Sequence, residues 1–106
     1  MPTPTELRAT LTRRRRGKVL RLLSIVAPMA VADADDLYRL LQDTCESLTI
    51  YEVHELLRDL KQRGCITYEA KRDPRQDLPT LRWLRLAPHG RDVIEHTVED
   101  PAIDLI

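Results

Sequence analysis

The residue types that perform chemistry in enzymes are few in this chain, and they are not arranged in a catalytic or metal-binding pattern. The three histidines, His54, His89 and His96, are dispersed and lack HExxH or Cys/His spacing. Cys45 and Cys65 stand 20 residues apart with no second ligand pair, so two buried thiols are the simpler interpretation. The sequence contains neither a Ser/His/Asp pattern nor a glycine-rich phosphate loop. We therefore expect no enzymatic activity, no metal and no cofactor.

Charge is the more informative property, because it is segregated along the chain. The 17 basic and 17 acidic side chains cancel overall. Residues 1–27 nevertheless carry seven basic side chains against one acidic, and residues 65–86 carry five against three. Residues 28–64 and 87–106 each have a net charge of −4. Since local potential rather than net charge attracts a polyanion, the two basic segments are candidate contacts for one.

The composition indicates one folded domain outside the membrane. A chain of 106 residues with 42% hydrophobic side chains is long enough for one core. No apolar run reaches 18 residues, and the arginine-rich segment is not followed by a signal-peptide pattern. We therefore expect a cytoplasmic protein with no membrane partner.

The clearest element signal is a helix near the middle of the chain, which must position any polar side chains on its surface. Thr49 followed by Glu52 is the capping-box pattern of a helix start. Gly64, preceded by basic residues, suits the helix end. The helix is therefore predicted over residues 50–63. The apolar residues at helical spacing are Val53, Leu56, Leu57 and Leu60.

A long helix is expected near the N-terminus. Apolar residues at helical spacing predict it over residues 14–27, and Pro28 ends it because the residue before a proline disfavours the helical region. Residues 5–12 supply one or two further turns that can continue into the same helix. Gly17 weakens that continuity by roughly 1 kcal/mol relative to alanine.

A second helix is expected between these two. Asp33 is its predicted cap, and Asp35 and Asp36 suit the positive end of the helix dipole. Its end is predicted between residues 43 and 46, which leaves a short turn before the central helix. The predicted buried residues are Leu37, Leu40 and Leu41.

After residue 64 the pattern predicts a β-hairpin. Residues 66–69 alternate apolar and polar side chains, residues 72–80 form a proline-containing loop, and residues 81–86 form the return strand. The two predicted faces of the return strand are Leu84 with Leu86, and Trp83 with Arg85.

A last helix is expected after the hairpin. Pro88 suits its first turn, and it is predicted to run to about Val98, with Pro101 beyond its end. The acidic tail that follows is expected to be frayed. The residues predicted to return to the core are Val93, Ile94, and either Thr97 or Val98.

The order helix, helix, helix, strand, strand, helix resembles a winged helix-turn-helix. The resemblance covers residues 17–98. Within it, the pattern of the chain is similar to that of the MarR and PadR families of bacterial transcriptional regulators, in which a run of leucine, threonine, proline, a basic residue and glycine follows the wing. The features that carry it are Leu48-Thr49, Val53, Leu56, Leu60, Arg63-Gly64, the arginine-containing hairpin loop and Leu86-Ala87-Pro88-His89-Gly90-Arg91. The chain is too short for the long terminal dimerisation helices of a typical MarR protein.

The resemblance implies an α+β, mostly α fold with three helices, a two-stranded wing and a C-terminal helix. Residues 1–106 are then one winged-helix domain with a basic N-terminal helical extension and an acidic C-terminal tail. It also implies a double-stranded DNA partner, with the third helix in the major groove and the wing on the backbone. The candidate DNA-binding residues are Tyr51, His54, Glu55, Arg58, Lys71, Arg72, Arg75, Arg82, Arg13, Arg14, Arg15 and Arg16.

Two functions remain open at this point. One is a transcriptional regulator that binds DNA as a homodimer, through its first or last helix, because one small half-site provides limited affinity. The other is a winged-helix module that binds a protein, with Tyr51 and the acidic residues of the third helix as its docking face. Glu52 and Glu55 weaken the first interpretation, because carboxylates near phosphates repel them.

Overall fold

The computed structural model describes residues 1–26, 33–43 and 47–105. Its elements are α1 (Pro4–Val26), α2 (Ala34–Asp43), α3 (Ile50–Gln62), β1 (Ile66–Lys71), β2 (Thr80–Leu86) and α4 (Pro88–Ile94). This is a small, mostly helical α+β fold, and β1 and β2 form an antiparallel two-stranded sheet. The expected helix end at Pro28, Cys45 and the last residues predicted for the second helix lie outside the described residues.

Helix α3 begins with the predicted capping box. The Thr49 hydroxyl accepts a hydrogen bond from the Glu52 amide at 3.2 Å, and Glu52 Oε1 accepts one from the Thr49 amide at 3.1 Å. The helix ends at Gln62, one residue before the predicted end, and Gly64 follows with φ of 77°. The predicted apolar stripe is buried, so the helix and its orientation toward the core are confirmed.

Helix α1 joins both predicted N-terminal segments into one helix of 23 residues. Gly17, the expected weak point, lies directly under the C-terminal tail. A Cβ atom at Gly17 would fall 1.8 Å from the carbonyl oxygen of Asp104. The glycine therefore permits a close backbone approach that outweighs its poor helix propensity.

The start of α2 is capped as expected. Asp33 Oδ1 accepts a hydrogen bond from the Asp36 amide at 2.8 Å. Leu37 and Leu41 are buried, while Leu40 is only partly buried. Two of the three leucines predicted to be buried on α2 are therefore buried.

The hairpin contains a β-bulge. Thr67 pairs with Arg85 and Glu69 pairs with Arg82, so Tyr68 on β1 faces two residues on β2. One of those two, Trp83, has φ of 62° and a half-exposed side chain. The predicted faces hold, because Leu84 is buried and Leu86 is partly buried, whereas Trp83 and Arg85 are exposed. Because of the extra residue, the two buried residues of β2, Leu81 and Leu84, are three positions apart and not two.

Helix α4 is shorter than predicted. It ends at Ile94 rather than near Val98, and His96 follows with φ of 59°. Val93 returns to the core as expected and Ile94 packs against it, but Thr97 and Val98 are exposed. The prediction that either residue reaches the core is wrong, because the chain turns away at His96.

The expectation of a frayed C-terminal tail is also wrong. Ile103 is only 8% exposed and belongs to the core cluster. The Asp104 amide donates to the Arg13 carbonyl at 3.0 Å, and Arg16 Nη1 donates to the Ala102 carbonyl at 3.0 Å. The tail is therefore docked on α1 by one apolar side chain and several hydrogen bonds.

The core lies where the four helices, the hairpin and Ile103 of the tail converge. Its largest fully buried side chains are Leu20, Leu23, Leu37, Leu41, Leu57, Leu60, Ile66 and Leu84. No helix in the described part of the chain combines the length and the apolar character that a membrane span requires.

Candidate nucleic-acid interface

Four of the predicted contact residues share the outer face of α3. Tyr51 is 55% exposed, Glu55 and Arg58 are exposed, and His54 is half-buried. These four side chains line one wall of a cleft of about 230 Å³ between α3 and the hairpin. The other wall consists of Tyr68, Leu78, Pro79 and Leu81. The hairpin therefore lies alongside this face of α3.

The N-terminal end of the same face is acidic. Asp33, Asp35 and Asp77 line an adjoining cleft together with Tyr51 and His54. Burial lowers the pKa of His54 below its ordinary value of 6.5, and the nearby Asp35 carboxylate partly offsets the shift. His54 is therefore mostly a neutral imidazole at pH 7, which has one donor and one acceptor nitrogen.

The basic side chains of the hairpin are exposed. Lys71, Arg72, Arg75 and Arg82 all project into solvent, and none of them has an ion-pair partner in the described ranges. The loop that carries Arg72 and Arg75 is shaped by Asp73, whose Oδ1 accepts a hydrogen bond from the Arg75 amide at 2.9 Å. The hairpin thus presents positive charge that internal carboxylates do not engage.

Two arginines of the basic run on α1 contact carboxylates of α3. Arg15 Nη1 lies 3.6 Å from Glu52 Oε2, and Arg16 Nε lies 2.7 Å from Asp59 Oδ2. Asp59 also pairs with Arg63 at 3.1 Å, as expected from their spacing on the helix. Of the two carboxylates that caused doubt about DNA binding, Glu52 is therefore partly neutralised from within the chain, while Glu55 has no ion-pair partner among the described residues.

The other two arginines of the run lie toward the tail. Arg14 Nε is 3.8 Å from Asp104 Oδ2, and 60% of the Arg14 side chain is exposed. Arg13 Nη2 donates to the Thr10 hydroxyl at 3.1 Å on the same helix. The predicted arginine cluster is thus spread around α1, because Arg16 contacts both α3 and the tail, and Arg14 remains the one most accessible to a partner.

A second group of polar side chains was not expected from the sequence. Cys65, His89 and Asp100 have ligand-type atoms within 4.8 Å of one another. Burial, followed by the Asp100 carboxylate, raises the pKa of the Cys65 thiol to about 11, so the thiol is protonated at neutral pH and a poor nucleophile. No spacing rule signals this group, because its members come from three segments that only the tertiary fold brings together.

A comparison of the chain with models of protein families, with curated proteins and with solved structures returned no significant match.

Proposed function

We propose that this chain is a small winged-helix DNA-binding protein that regulates transcription. In this proposal α1, α2 and α3 are the three helices of the motif, the β1–β2 hairpin is the wing, and α4 follows it. Helix α3 has 13 residues, which corresponds to a length of about 20 Å at roughly 1.5 Å per residue and suits the major groove.

One observation carries the proposal. The exposed polar face of α3, with Tyr51, His54 and Arg58, lies beside a hairpin whose basic side chains have no internal ion-pair partner in the described residues. A surface that reads DNA needs both parts, because phosphate contacts hold the protein in register and base contacts confer specificity. Lys71, Arg72 and the other exposed basic residues of the hairpin would bind phosphates.

The residues of α3 have separate expected roles. Arg58 can donate two hydrogen bonds to guanine, and Glu55 can accept one from cytosine N4. Tyr51 can contact a phosphate through its hydroxyl. His54, as a neutral imidazole, can both donate and accept at a base edge. Sequence preference would therefore depend on Arg58, Glu55 and His54, whereas Tyr51 would help to hold the protein in register.

The arginine run of α1 has a mixed role in this proposal. Arg15 and Arg16 orient α1 against α3 through Glu52 and Asp59, so their loss would change the fold as well as the charge. Arg14 is mostly exposed and is the member of the run expected to reach a phosphate. We expect its contribution to be smaller than that of the hairpin, because Asp104 partly neutralises it.

A homodimer through α1 is part of the proposal. Leu7 and Leu11 lie four residues apart on α1 and are 57% and 42% exposed. Side chains at this spacing lie on the same helix face and can pack against a second copy. Two copies would contact two half-sites and so increase the affinity of the complex for DNA.

The alternative function is protein binding through the same face. The observation that favours it is the group of three aspartates around Tyr51 and His54, which would repel phosphates and attract a basic segment of a partner protein. Under this alternative, Tyr51 is the aromatic anchor of the interface.

The discriminating experiment is a salt series of binding to duplex DNA, followed by fluorescence anisotropy. The Arg72→Gln/Arg75→Gln variant is compared with Arg91→Gln, which removes an exposed arginine from α4. DNA binding predicts that the affinity falls steeply with salt. It also predicts that the hairpin variant reduces the slope of log K against log salt by roughly 0.9 for each phosphate that the two arginines neutralise. The α4 variant should keep the wild-type slope.

Two outcomes would contradict the proposal. The first is no duplex binding at low salt by the full chain. The second is an equal loss of affinity in the hairpin and α4 variants, since this would show that DNA is attracted to any exposed arginine and not to the hairpin in particular. Under the protein-binding alternative, DNA affinity is negligible in every variant.

A further inference from the structure

Cys65, His89 and Asp100 form a cluster on the side of the core where the tail docks. They offer one sulfur, one nitrogen and one oxygen, all within 4.8 Å of one another. His89 Nε2 lies 2.8 Å from Asp100 Oδ2, and Cys65 is fully buried. The exposed fractions of the His89 and Asp100 side chains are 35% and 15%. The cluster therefore lies at the edge of the core with one side open to water.

Backbone contacts hold two of the three residues in place. Cys65 follows the glycine that ends α3, and its carbonyl accepts a hydrogen bond from the Ala87 amide at 2.9 Å. A Cβ atom at Gly90 would lie 2.1 Å from that carbonyl oxygen, so glycine is what lets α4 approach Cys65 so closely. His89 is the residue immediately before Gly90, which explains why its ring reaches the thiol.

Asp100 is oriented by the tail itself. Its Oδ1 accepts a hydrogen bond from the Ala102 amide at 2.9 Å, which leaves Oδ2 directed at His89. The backbone thus fixes one carboxylate oxygen and holds the other close to the imidazole nitrogen, and a bound ion would replace the hydrogen bond between these two ligand atoms.

We propose that Cys65, His89 and Asp100 bind one divalent transition-metal ion, with Zn²⁺ as the preferred metal. A thiolate, an imidazole and a carboxylate are the ligand types that Zn²⁺ takes, whereas Mg²⁺ and Ca²⁺ prefer oxygen alone. Three protein ligands leave one position of a tetrahedron for water, which the partial exposure of His89 permits.

Charge balance supports a dication at this place. On binding, the Cys65 thiol releases its proton to solvent and the thiolate sulfur bonds to the metal. The thiolate and the Asp100 carboxylate together then balance the two positive charges of the ion.

A bound ion would connect three segments of the chain. Cys65 lies between α3 and β1, His89 lies in the first turn of α4, and Asp100 lies in the tail. Since an ion that binds only the folded state stabilises it by mass action, Zn²⁺ should raise the unfolding temperature and hold the tail on the body of the protein. This inference does not depend on the DNA-binding proposal.

The experiment titrates the reduced, metal-free full chain with ZnCl₂ against a chromophoric chelator. We expect one ion per chain and a higher unfolding temperature with Zn²⁺. Cys65→Ser and Asp100→Asn should each weaken binding by at least about 100-fold, because even outer-shell partners of a metal typically contribute 10–100-fold. His96→Gln removes a histidine outside the cluster and should bind as the wild type does.

Cobalt provides a second measurement if a variant fails to fold. Co²⁺ added to the Cys45→Ser chain should produce a thiolate-to-cobalt charge-transfer band, since Cys65 is then the sole thiol. The proposal is overturned if this band is missing. It is equally overturned if the wild type binds no zinc in the titration, or if folded Cys65→Ser binds zinc as tightly as the wild type.

Discussion

At the scale of single residues, the surroundings of a side chain decide its chemistry more than its type does. Glu52 is an example, because its two carboxylate oxygens have different partners. Oε1 accepts a hydrogen bond from the Thr49 amide, and Oε2 lies 3.6 Å from Arg15. A carboxylate that would otherwise repel phosphate is thus engaged within the protein, and Glu55 is left as the exposed acidic residue on the outer face of α3.

His54 should make the stability of the protein depend on pH. Because burial lowers its pKa in the folded state, the unfolded chain binds more protons once the pH falls below about 6.5. The free energy of unfolding should therefore decrease as the pH drops from 7 to 5, and His54→Gln should remove part of that decrease. Urea unfolding at both pH values measures the effect.

The same residue provides a direct check by NMR. Asp35 is the charge that partly offsets the effect of burial, so Asp35→Asn should lower the pKa of the His54 ring further. An upward shift of the His54 pKa in this variant would contradict the attraction between Asp35 and the imidazole. A wild-type His54 pKa above its ordinary value would contradict the partial burial of the ring.

At the scale of elements, α3 is defined by short-range signals in the sequence. The hairpin, in contrast, contains a β-bulge that the alternation of apolar and polar residues does not indicate. The capping box and the glycine at the helix end involve residues three or four positions apart, so both can be recognised from the sequence. The bulge at Trp83 depends on the pairing of two strands, which a single-strand pattern cannot specify. It is the reason that Leu81 and Leu84 are both buried although they are three residues apart.

Removal of the cap should destabilise the protein. Thr49→Ala leaves the Glu52 amide without its hydroxyl partner and should reduce the free energy of unfolding by about 1 kcal/mol. Thr49→Ser keeps the hydroxyl and should remain close to the wild type. Urea unfolding of the two variants measures the difference, and equal stability would show that the capping box contributes nothing.

The bulge predicts an unusual preference at residue 83. Its φ of 62° is tolerated by asparagine but is strained for a β-branched side chain. We therefore expect Trp83→Asn to be more stable than Trp83→Val by about 1 kcal/mol, which reverses the usual preference for valine in a strand. Chemical unfolding of both variants tests this, and greater stability of the valine variant would argue for a regular, unbulged strand.

At the scale of the whole molecule, the segregated charge of the sequence is partly used within the fold. The basic N-terminal segment contacts the acidic α3 through Arg15 and Arg16, and it contacts the acidic tail through Arg14. The hairpin is the basic segment whose exposed residues have no such ion pairs in the described chain. A partner with negative charge is therefore expected at the hairpin first.

The docking of the tail should reverse the usual effect of replacing a helical glycine. Gly17→Ala should destabilise the full chain by roughly 1–3 kcal/mol, since the new methyl group clashes with the Asp104 carbonyl. In a chain that ends at Glu99, the same substitution should instead stabilise α1 by up to about 1 kcal/mol. Thermal unfolding of the four proteins checks the change of sign. A stabilising effect in the full chain would show that the tail does not lie over Gly17.

Local patterns predicted most of the element order. The spacing of apolar residues, the capping residues and the turn residues located three helices, the hairpin and the start of α4, and α3 was placed to within one residue of its end. These signals act between residues that are close in the chain, so a single sequence is enough to recognise them. The candidate residues of α3 could be assigned to one face for the same reason, and the structure brings Tyr51 and Arg58 to one cleft.

The sequence by itself determined which segments form helices and strands, which side chains face the core along α3, and where positive and negative charge is concentrated. Only the tertiary structure decided that α4 stops at Ile94, that the tail packs on α1 over Gly17, and that Cys65, His89 and Asp100 meet. The physical reason is the range of the interactions. Helical periodicity and capping depend on neighbours within about four residues, whereas these contacts depend on how whole elements pack.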